Sequence, residues 1–283
     1  MDLKIIQFGL IRRKVAELCA PAAVDLPADV EESLQNALAA EKTPLGKHFL
    51  SQCLENARLA RAENIPICQD TGAAVFFVET GDRVVIEGGA LSGAINQGVA
   101  DGYKTAYLRK SMVADPLFAR KNTGDNTPAI IHIDTVPGDT LKIILAPKGG
   151  GSENMSAIAM LKPSDGVEGL VRLAVDTVVK AGGNPCPPVI VGVGAGGNFE
   201  RCAILAKKAL LRKVGEPSPH AEYAALERRI LDEINASGVG PQGLGGSVTA
   251  LAVHIEFQAC HIASLPVAVN LNCHAARHKE IIL

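Results

Sequence analysis

No C-x-x-C pair, no basic stripe and no apolar run of membrane-spanning length occurs in the 283 residues of this chain. The first absence excludes a zinc ribbon and the ferredoxin-type spacing of cluster ligands. The second, with a net charge of −2, argues against nucleic acid as a partner. The third argues against a membrane-spanning segment. The opening stretch MDLKIIQFGLIRRKVAELC does not read as a secretory leader: it has an acid at position 2, charged residues in its middle and no apolar centre. It reads as an amphipathic helix. The seven cysteines (19, 53, 68, 186, 202, 260 and 273) are odd in number and scattered. With no leader expected, that pattern argues against a disulfide framework and predicts reduced thiols in a cytoplasmic protein. Tryptophan is absent, whereas glycine is plentiful, with 28 residues falling in clusters. Such clusters let backbone N–H groups approach a ligand.

Apolar residues make up 47% of the chain and charged residues 20%, the composition of a soluble globular protein. The length suits one large domain or two intimate lobes. Helices are predicted over about 3–18, 28–40 and 43–62, the third capped by Thr43 with Pro44 at its first position. The pattern then changes. The runs at 73–79 and 83–87 read as strands around the turn Gly81-Asp82. Ser92 is placed as the cap of another helix. AIIHIDTV and LKIILAP are expected to form a hairpin through Pro137-Gly138-Asp139. Further on come a helix over 165–180, the strand PPVIVGV, the helices NFERCAILAKKALLRK and HAEYAALERRILDEINASG, and the strands SVTALAVHIEFQA and LPVAVNLNC. The order predicts an α+β (mixed α/β) fold with a helical N-terminal part. Glycine-rich loops stand at the strand–helix junctions, where sites are commonly built.

PICQDTG (66–72) sets Cys68 two residues before Asp70, at the mouth of an apolar strand. A carboxylate raises the pKa of a nearby thiol, so the pair is not an activated nucleophile. A cation, and a metal first of all, is the natural third member. Cys186 in GGNPCPPV and Cys273 in VNLNCHAARH also lie in loops or at strand edges. Cys19, Cys53 and Cys202 fall within helices, and Cys260 ends a strand. Spacing alone favours packing roles for all seven.

KGGGSEN (148–154) reads either as a flexible turn or as a row of N–H groups beside Lys148 that would hold a carboxylate or phosphate, with Ser152 capping the next helix. Three consecutive glycines are entropically costly, which tips the balance to the second. GVGAGG supplies Gly192, Gly194 and Gly197 in the G-x-G-x-x-G spacing of a nicotinamide-dinucleotide site. The downstream strand with its ribose-binding acid is missing, so a close-packed strand-to-helix turn is favoured. By themselves His261 and Arg109 read as a structural histidine and a helix C-terminal charge. His132 and His254 fall in strands. His274 and His278 flank Arg277, as surface residues or as a cationic rim around whatever Cys273 binds.

Taken together, PICQDTG, KGGGSEN, GGNPCPP, VGVGAGGNFE and CHIASLPVAVNLNC resemble the α subunit of two-chain class I fumarate hydratases and L-tartrate dehydratases. The resemblance covers nearly the whole chain, most strongly 65–278. It implies one α-subunit domain over 1–283, with 1–64 as its helical section. It implies that Cys68, Cys186 and Cys273 hold a [4Fe–4S] cluster with one iron left open for substrate. It places Asp70 beside the substrate, and His261 and Arg109 on its carboxylate or hydroxyl side. It places Gly149, Gly150 and Gly151, with Lys148, around a carboxylate. The implied reaction is reversible hydration of fumarate to L-malate, or dehydration of L-tartrate to oxaloacetate. The implied partners are a small dicarboxylate or hydroxy-dicarboxylate and a β subunit that completes the site, in a dimer of heterodimers. The family pattern leads one to expect a bulky aromatic after the last cysteine; here His274 stands there.

Overall fold

The structure is a computed structural model that describes residues 3–283; the first two residues of the expected 1–283 domain lie outside the described residues. It is an α+β fold, as the element order predicts, and it divides into two compact units interleaved along the chain. The first holds residues 3–26, 59–150 and 277–283, and the second 27–58 and 151–276. Among the described residues no helix is long and apolar enough to cross a membrane.

The chain opens with strand β1 (Lys4–Gln7), and helix α1 (Phe8–Val24) starts only after it. The expected helix over 3–18 therefore loses its first turn. The β-branched pair Ile5-Ile6 supports a strand there. Helices α2 (Ala28–Ala40) and α3 (Pro44–Glu63) follow as predicted. Thr43 caps α3: its Oγ1 accepts from the Gly46 N–H at 3.1 Å. Next come strands β2 (Ala73–Gly81) and β3 (Val84–Glu87), helix α4 (Leu91–Thr105), and strands β4 (Ile130–Val136) and β5 (Leu141–Lys148). Strand β1 pairs in parallel with β3, Ile6 opposite Ile86. Ser92 is not the cap of α4. Ala90 occupies that position with no side-chain bond, and the Ser92 carbonyl accepts from Asn96 within the helix.

The second unit continues with the single-turn helix α5 (Gly150–Glu153), strand β6 (Ala157–Leu161), helix α6 (Gly166–Ala181), strand β7 (Val189–Gly196), helices α7 (Phe199–Ala209) and α8 (Ala221–Ala236), and strands β8 (Ala250–Gln258) and β9 (Leu265–Asn272). Its sheet has the order β6-β9-β7-β8, with every residue of β7 buried at the centre. Its core includes Leu170, Ala174, Val191, Val193, Ile230, Val253 and Val269. The short β10 (Lys279–Ile282) returns to the sheet of the first unit beside β5. The short strands β1, β6 and β10 carry too few residues to show a period, and sequence patterning does not find them.

In the first unit the expected β4–β5 hairpin does not form. The four-stranded sheet has the order β10-β5-β2-β4, with β2 between the two. The reason is burial. β2 is buried continuously from Ala74 to Val78, so it needs a neighbour on each side. It pairs in parallel with β4 and antiparallel with β5. The core of this unit joins Ile11 and Val15 of α1, Phe76 of β2, Ile95, Val99 and Tyr103 of α4, and Leu141, Ile143 and Leu145 of β5.

One buried carboxylate organises the second unit. Glu41, 1% exposed, follows α2. Its Oε1 accepts from the Thr43 N–H and Oγ1, and its Oε2 from the N–H groups of Ser247 and Val248, at 2.8–2.9 Å. Burial raises its pKa, but these hydrogen bonds outweigh burial and hold it below the usual carboxylate value. The expected result of Glu41→Ala is a loss of about 3 kcal/mol, from several buried donors left without an acceptor, read by urea denaturation. Because the folded pKa lies below the unfolded one, this contribution is present above the unfolded value and fades as pH falls through the folded value. A stability loss under about 1 kcal/mol, the worth of one ordinary hydrogen bond, would refute the assignment.

Candidate active site

The PICQDTG turn is built within the first unit, between α3 and β2. It is held at both ends by backbone bonds. The Ile67 N–H donates to the Ala23 carbonyl at 3.0 Å, and Ala73 pairs with Lys148 across the sheet. Asp70 is half-buried, and its carboxylate is fixed by two donors. The Gly72 N–H meets Oδ1 at 3.1 Å and the Gly150 N–H meets Oδ2 at 2.8 Å. The Asp70 carbonyl accepts from the buried Arg277 guanidinium at 3.1 Å. Gly72 is required here: its φ is +79°, and a Cβ would lie 2.7 Å from the Lys148 backbone.

The structure thus brings Asp70 together with the start of the glycine row. A Cβ on Gly149 or Gly150 would stand 3.4 or 3.8 Å from Asp70 Oδ2. Lys148 ends β5 and is buried. Ser152 does not cap a following helix; it lies inside the single turn α5. Gly151 belongs to the second unit, where a Cβ would lie 3.4 Å from the Asn184 carbonyl, in the loop that carries Cys186.

Arg109 is exposed just past α4 in the first unit. Its backbone is tied to the same turn, since Thr71 Oγ1 donates to the Arg109 carbonyl at 3.2 Å. Two residues on, the Ser111 N–H donates to Asn126 Oδ1 at 2.7 Å, and Asn126 Nδ2 donates to the Gly72 carbonyl at 3.1 Å. The fully buried Tyr103 hydroxyl sits at 3.2 and 3.0 Å from the Thr71 and Gly72 carbonyls, and burial raises its pKa.

In the second unit the structure brings the Cys186 and Cys273 loops together. The carbonyl of Cys186 faces the backbone N–H of His274 at 3.4 Å and its Nδ1 at 3.0 Å. Cys186 is exposed with a φ of +55°, an uncommon setting for a residue with a side chain. A third loop braces the pair: Gln242 donates from N and Nε2 to the Pro187 carbonyl at 2.9 and 2.8 Å, and its Nε2 lies 3.4 Å from His274 Nδ1. Glu41 anchors the far end of that loop. Cys53 of α3 is buried in the same unit; burial first, then the charges of Cys186 and Cys273, push its thiol up to about 11. His261 is exposed in the turn between β8 and β9, and its Nδ1 accepts from the Ala263 N–H at 3.1 Å.

GVGAGG is a packing device. Gly192 and Gly194 lie inside β7, where a Cβ would come within 2.1 Å of the Ala206 carbonyl and 2.0 Å of the Cys202 carbonyl of α7. The N-terminus of α7 is capped by its own Asn198, which accepts from the Arg201 N–H at 3.0 Å. After α7 comes α8, as the sequence predicts, in place of a second strand. Sequence patterning passes over Thr71, Asn126 and Gln242. The clusters TGDNTP and GPQGLGG, rich in turn residues, mark the segments that hold the last two.

The thiols sort by setting. Cys19, Cys53 and Cys202 are buried in helices, and burial pushes Cys19 up to about 12. Cys68, Cys186 and Cys273 are accessible on loops. Cys260 is also exposed, its thiol 3.4 Å from the Ser264 carbonyl. Among the described residues no three His, Cys, Asp or Glu side chains form a group that could hold a metal ion. Accessible loop thiols are soft donors, of a chemistry that fits an iron–sulfur cluster.

Fold and loops together define an α+β chain with a fixed carboxylate beside a glycine row and accessible thiols on its loops. The fumarate hydratase (Fumerase) family profile matches residues 12–282, and the chain belongs to that family. It is a hydro-lyase chain. It is 43% identical over 274 residues to a putative L(+)-tartrate dehydratase subunit alpha of Methanocaldococcus jannaschii, covering 93% of this chain and 94% of the relative. It is 36% identical over 272 residues to L(+)-tartrate dehydratase subunit alpha of Escherichia coli O157:H7, covering 95% and 89%. The protein of that name in Escherichia coli K12 is 35% identical over 272 residues, covering 95% and 89%.

Proposed function

We propose that the chain is the α subunit of an iron–sulfur-dependent hydro-lyase that reversibly hydrates fumarate to L-malate, working with a β subunit in a dimer of heterodimers in the cytoplasm. The observation that carries this reading is the family match across residues 12–282, joined to the accessible thiols of Cys68, Cys186 and Cys273. These three cysteines would hold a [4Fe–4S] cluster. When bound, the cluster supplies a Lewis acid for departure of the substrate hydroxyl. The name "subunit alpha" borne by the relatives supports the second chain, and seven free cysteines suit a reducing compartment.

The chain's own residues then have separable tasks. In the dehydrating direction a proton leaves the carbon beside a carboxylate, its electron pair forms the double bond, and hydroxyl departs with a proton as water. Asp70 belongs to the base machinery; its two N–H partners keep the carboxylate oriented. Arg109 and Lys148 supply positive charge, and Gly149, Gly150 and Gly151 supply backbone donors, for the substrate carboxylate where negative charge develops. His261 binds on the carboxylate or hydroxyl side.

A second reading, dehydration of L-tartrate to oxaloacetate, is favoured by the names of the relatives. The test is to co-produce the chain with its β partner under strict anaerobiosis and assay both substrates. The expected result is hydro-lyase activity that depends on the partner, with kcat/KM preferring one diacid, since a hydrogen-bonded hydroxyl discriminates strongly. Absence of activity on both diacids, with iron and partner present, would overturn the proposal.

A further inference from the structure

We propose that Thr71 and Asn126 are positioning residues that fix Asp70 and Arg109 as one body. The inference rests on the reading of those two residues as site residues. Asp70 and Arg109 lie on different segments of the first unit, one before β2 and the other after α4. Their backbones are joined twice, by buried side chains. Thr71, 2% exposed, follows Asp70 directly and donates its hydroxyl to the carbonyl of Arg109 itself. Asn126, 0% exposed, spans the same pair of segments from a third. It accepts from the Ser111 N–H and donates to the Gly72 carbonyl.

The chemistry of the two positions is narrow. An amide offers one acceptor and one donor arm, and here each arm has a partner that accepts no other orientation: an N–H faces Oδ1 and a carbonyl faces Nδ2. Asn126 also has a φ of +64°, in the left-handed region that asparagine tolerates better than most residues. Asp125 shapes the turn around it, accepting from the Thr127 N–H and Oγ1 at 3.0 and 2.7 Å. Asn122 holds the segment after Arg109, donating to the Lys110 carbonyl at 2.8 Å. A base and a carboxylate-binding cation act on one substrate only if their separation is fixed, and an error of about 1 Å costs up to about 100-fold in rate. Thr71 and Asn126 touch no reacting atom. They set where Asp70 and Arg109 stand.

The experiment uses the anaerobically assembled complex with its β chain, with iron content matched among variants. Thr71→Val keeps the side-chain volume and removes the donor; Thr71→Ser keeps the donor. Asn126→Gly tolerates the positive φ and removes both bonds; Asn126→Asp keeps the acceptor for Ser111 and loses the donor to Gly72. The expected result is a fall in kcat/KM of about 10- to 100-fold for Thr71→Val and Asn126→Gly, with kcat lowered and KM raised together, because base and cation are both displaced. Thr71→Ser restores both parameters to near wild type, and Asn126→Asp is intermediate. A merely structural role would lower Tm and leave kcat and KM alone. Wild-type kcat and KM in Thr71→Val and Asn126→Gly, or a Thr71→Ser variant as impaired as Thr71→Val, would overturn the proposal. Asp70→Asn and Arg109→Ala are measured beside them. If those two retain wild-type kinetics, the reading of the site itself fails. If they lose activity while the positioning variants do not, only the present inference fails.

Discussion

Serine at any one of positions 68, 186 or 273 is expected to abolish both bound iron and hydro-lyase activity in the anaerobically assembled complex. Donor chemistry sets this expectation. A cubane cluster is held by thiolates, and about four irons and four sulfides per chain are expected in the wild type. A serine hydroxyl is a hard, weakly acidic donor in place of a soft thiolate. If these three thiols are the protein ligands, as proposed, no spare ligand would compensate for a lost one. Cys186 and Cys273 should also fail together, because His274 and Gln242 lock their loops into one assembly. Serine at Cys19, Cys202 or Cys260 should leave iron content unchanged, since the first two are buried in helices and the third bonds Ser264. Iron and sulfide analysis with the visible spectrum reads the result without relying on activity. Full iron in Cys68→Ser, Cys186→Ser or Cys273→Ser would remove that cysteine from the ligand set, and full iron in all three would sink the cluster assignment.

The parts of this molecule legible in its sequence are those with a local cause. Helices α2, α3, α6, α7 and α8 carry a 3.6-residue period and recognisable ends, and α3 has the predicted threonine cap. The central strands β2 and β7 are apolar runs too short for helices. Choices made by partners distant in sequence are not legible. Nothing in Pro137-Gly138-Asp139 tells that β2 will insert between β4 and β5; the demand of β2 for burial on both sides decides it. The site shows the same division. Cys68, Asp70 and KGGG stand out because cysteine beside an acid and three glycines in a row are costly unless used. The contact of Asp70 with Gly150 is long-range, and no local pattern carries it. Thr71, Asn126 and Gln242 stay hidden because threonine, asparagine and glutamine look like ordinary loop residues until their partners are known.

Gly194→Ala is expected to destabilise the chain by at least about 3 kcal/mol, at or beyond the upper end of ordinary overpacking costs. The new Cβ would stand 2.0 Å from the Cys202 carbonyl and 2.5 Å from the Ala206 N, both backbone atoms of α7. A side-chain tip could turn aside; a helix backbone cannot. Relief requires α7 to lift off β7, which would break the contact of Cys202 and Ala206 with Ala268. Gly192→Ala should act in the same way, with the Ala206 carbonyl 2.1 Å from the new Cβ. Gly9→Ala is the control: it lies in α1 with nothing within 4 Å of its Cβ, so it should be neutral or stabilise by up to about 1 kcal/mol through helix propensity. Thermal and urea unfolding followed by circular dichroism measure all three. The outcome also decides what GVGAGG is for. A nucleotide-binding loop would lose a ligand on substitution and keep its fold, whereas a packing strand loses its fold and has no ligand to lose. A Gly194→Ala variant as stable as wild type would mean that α7 yields easily, and the close-packing account of these glycines would be wrong.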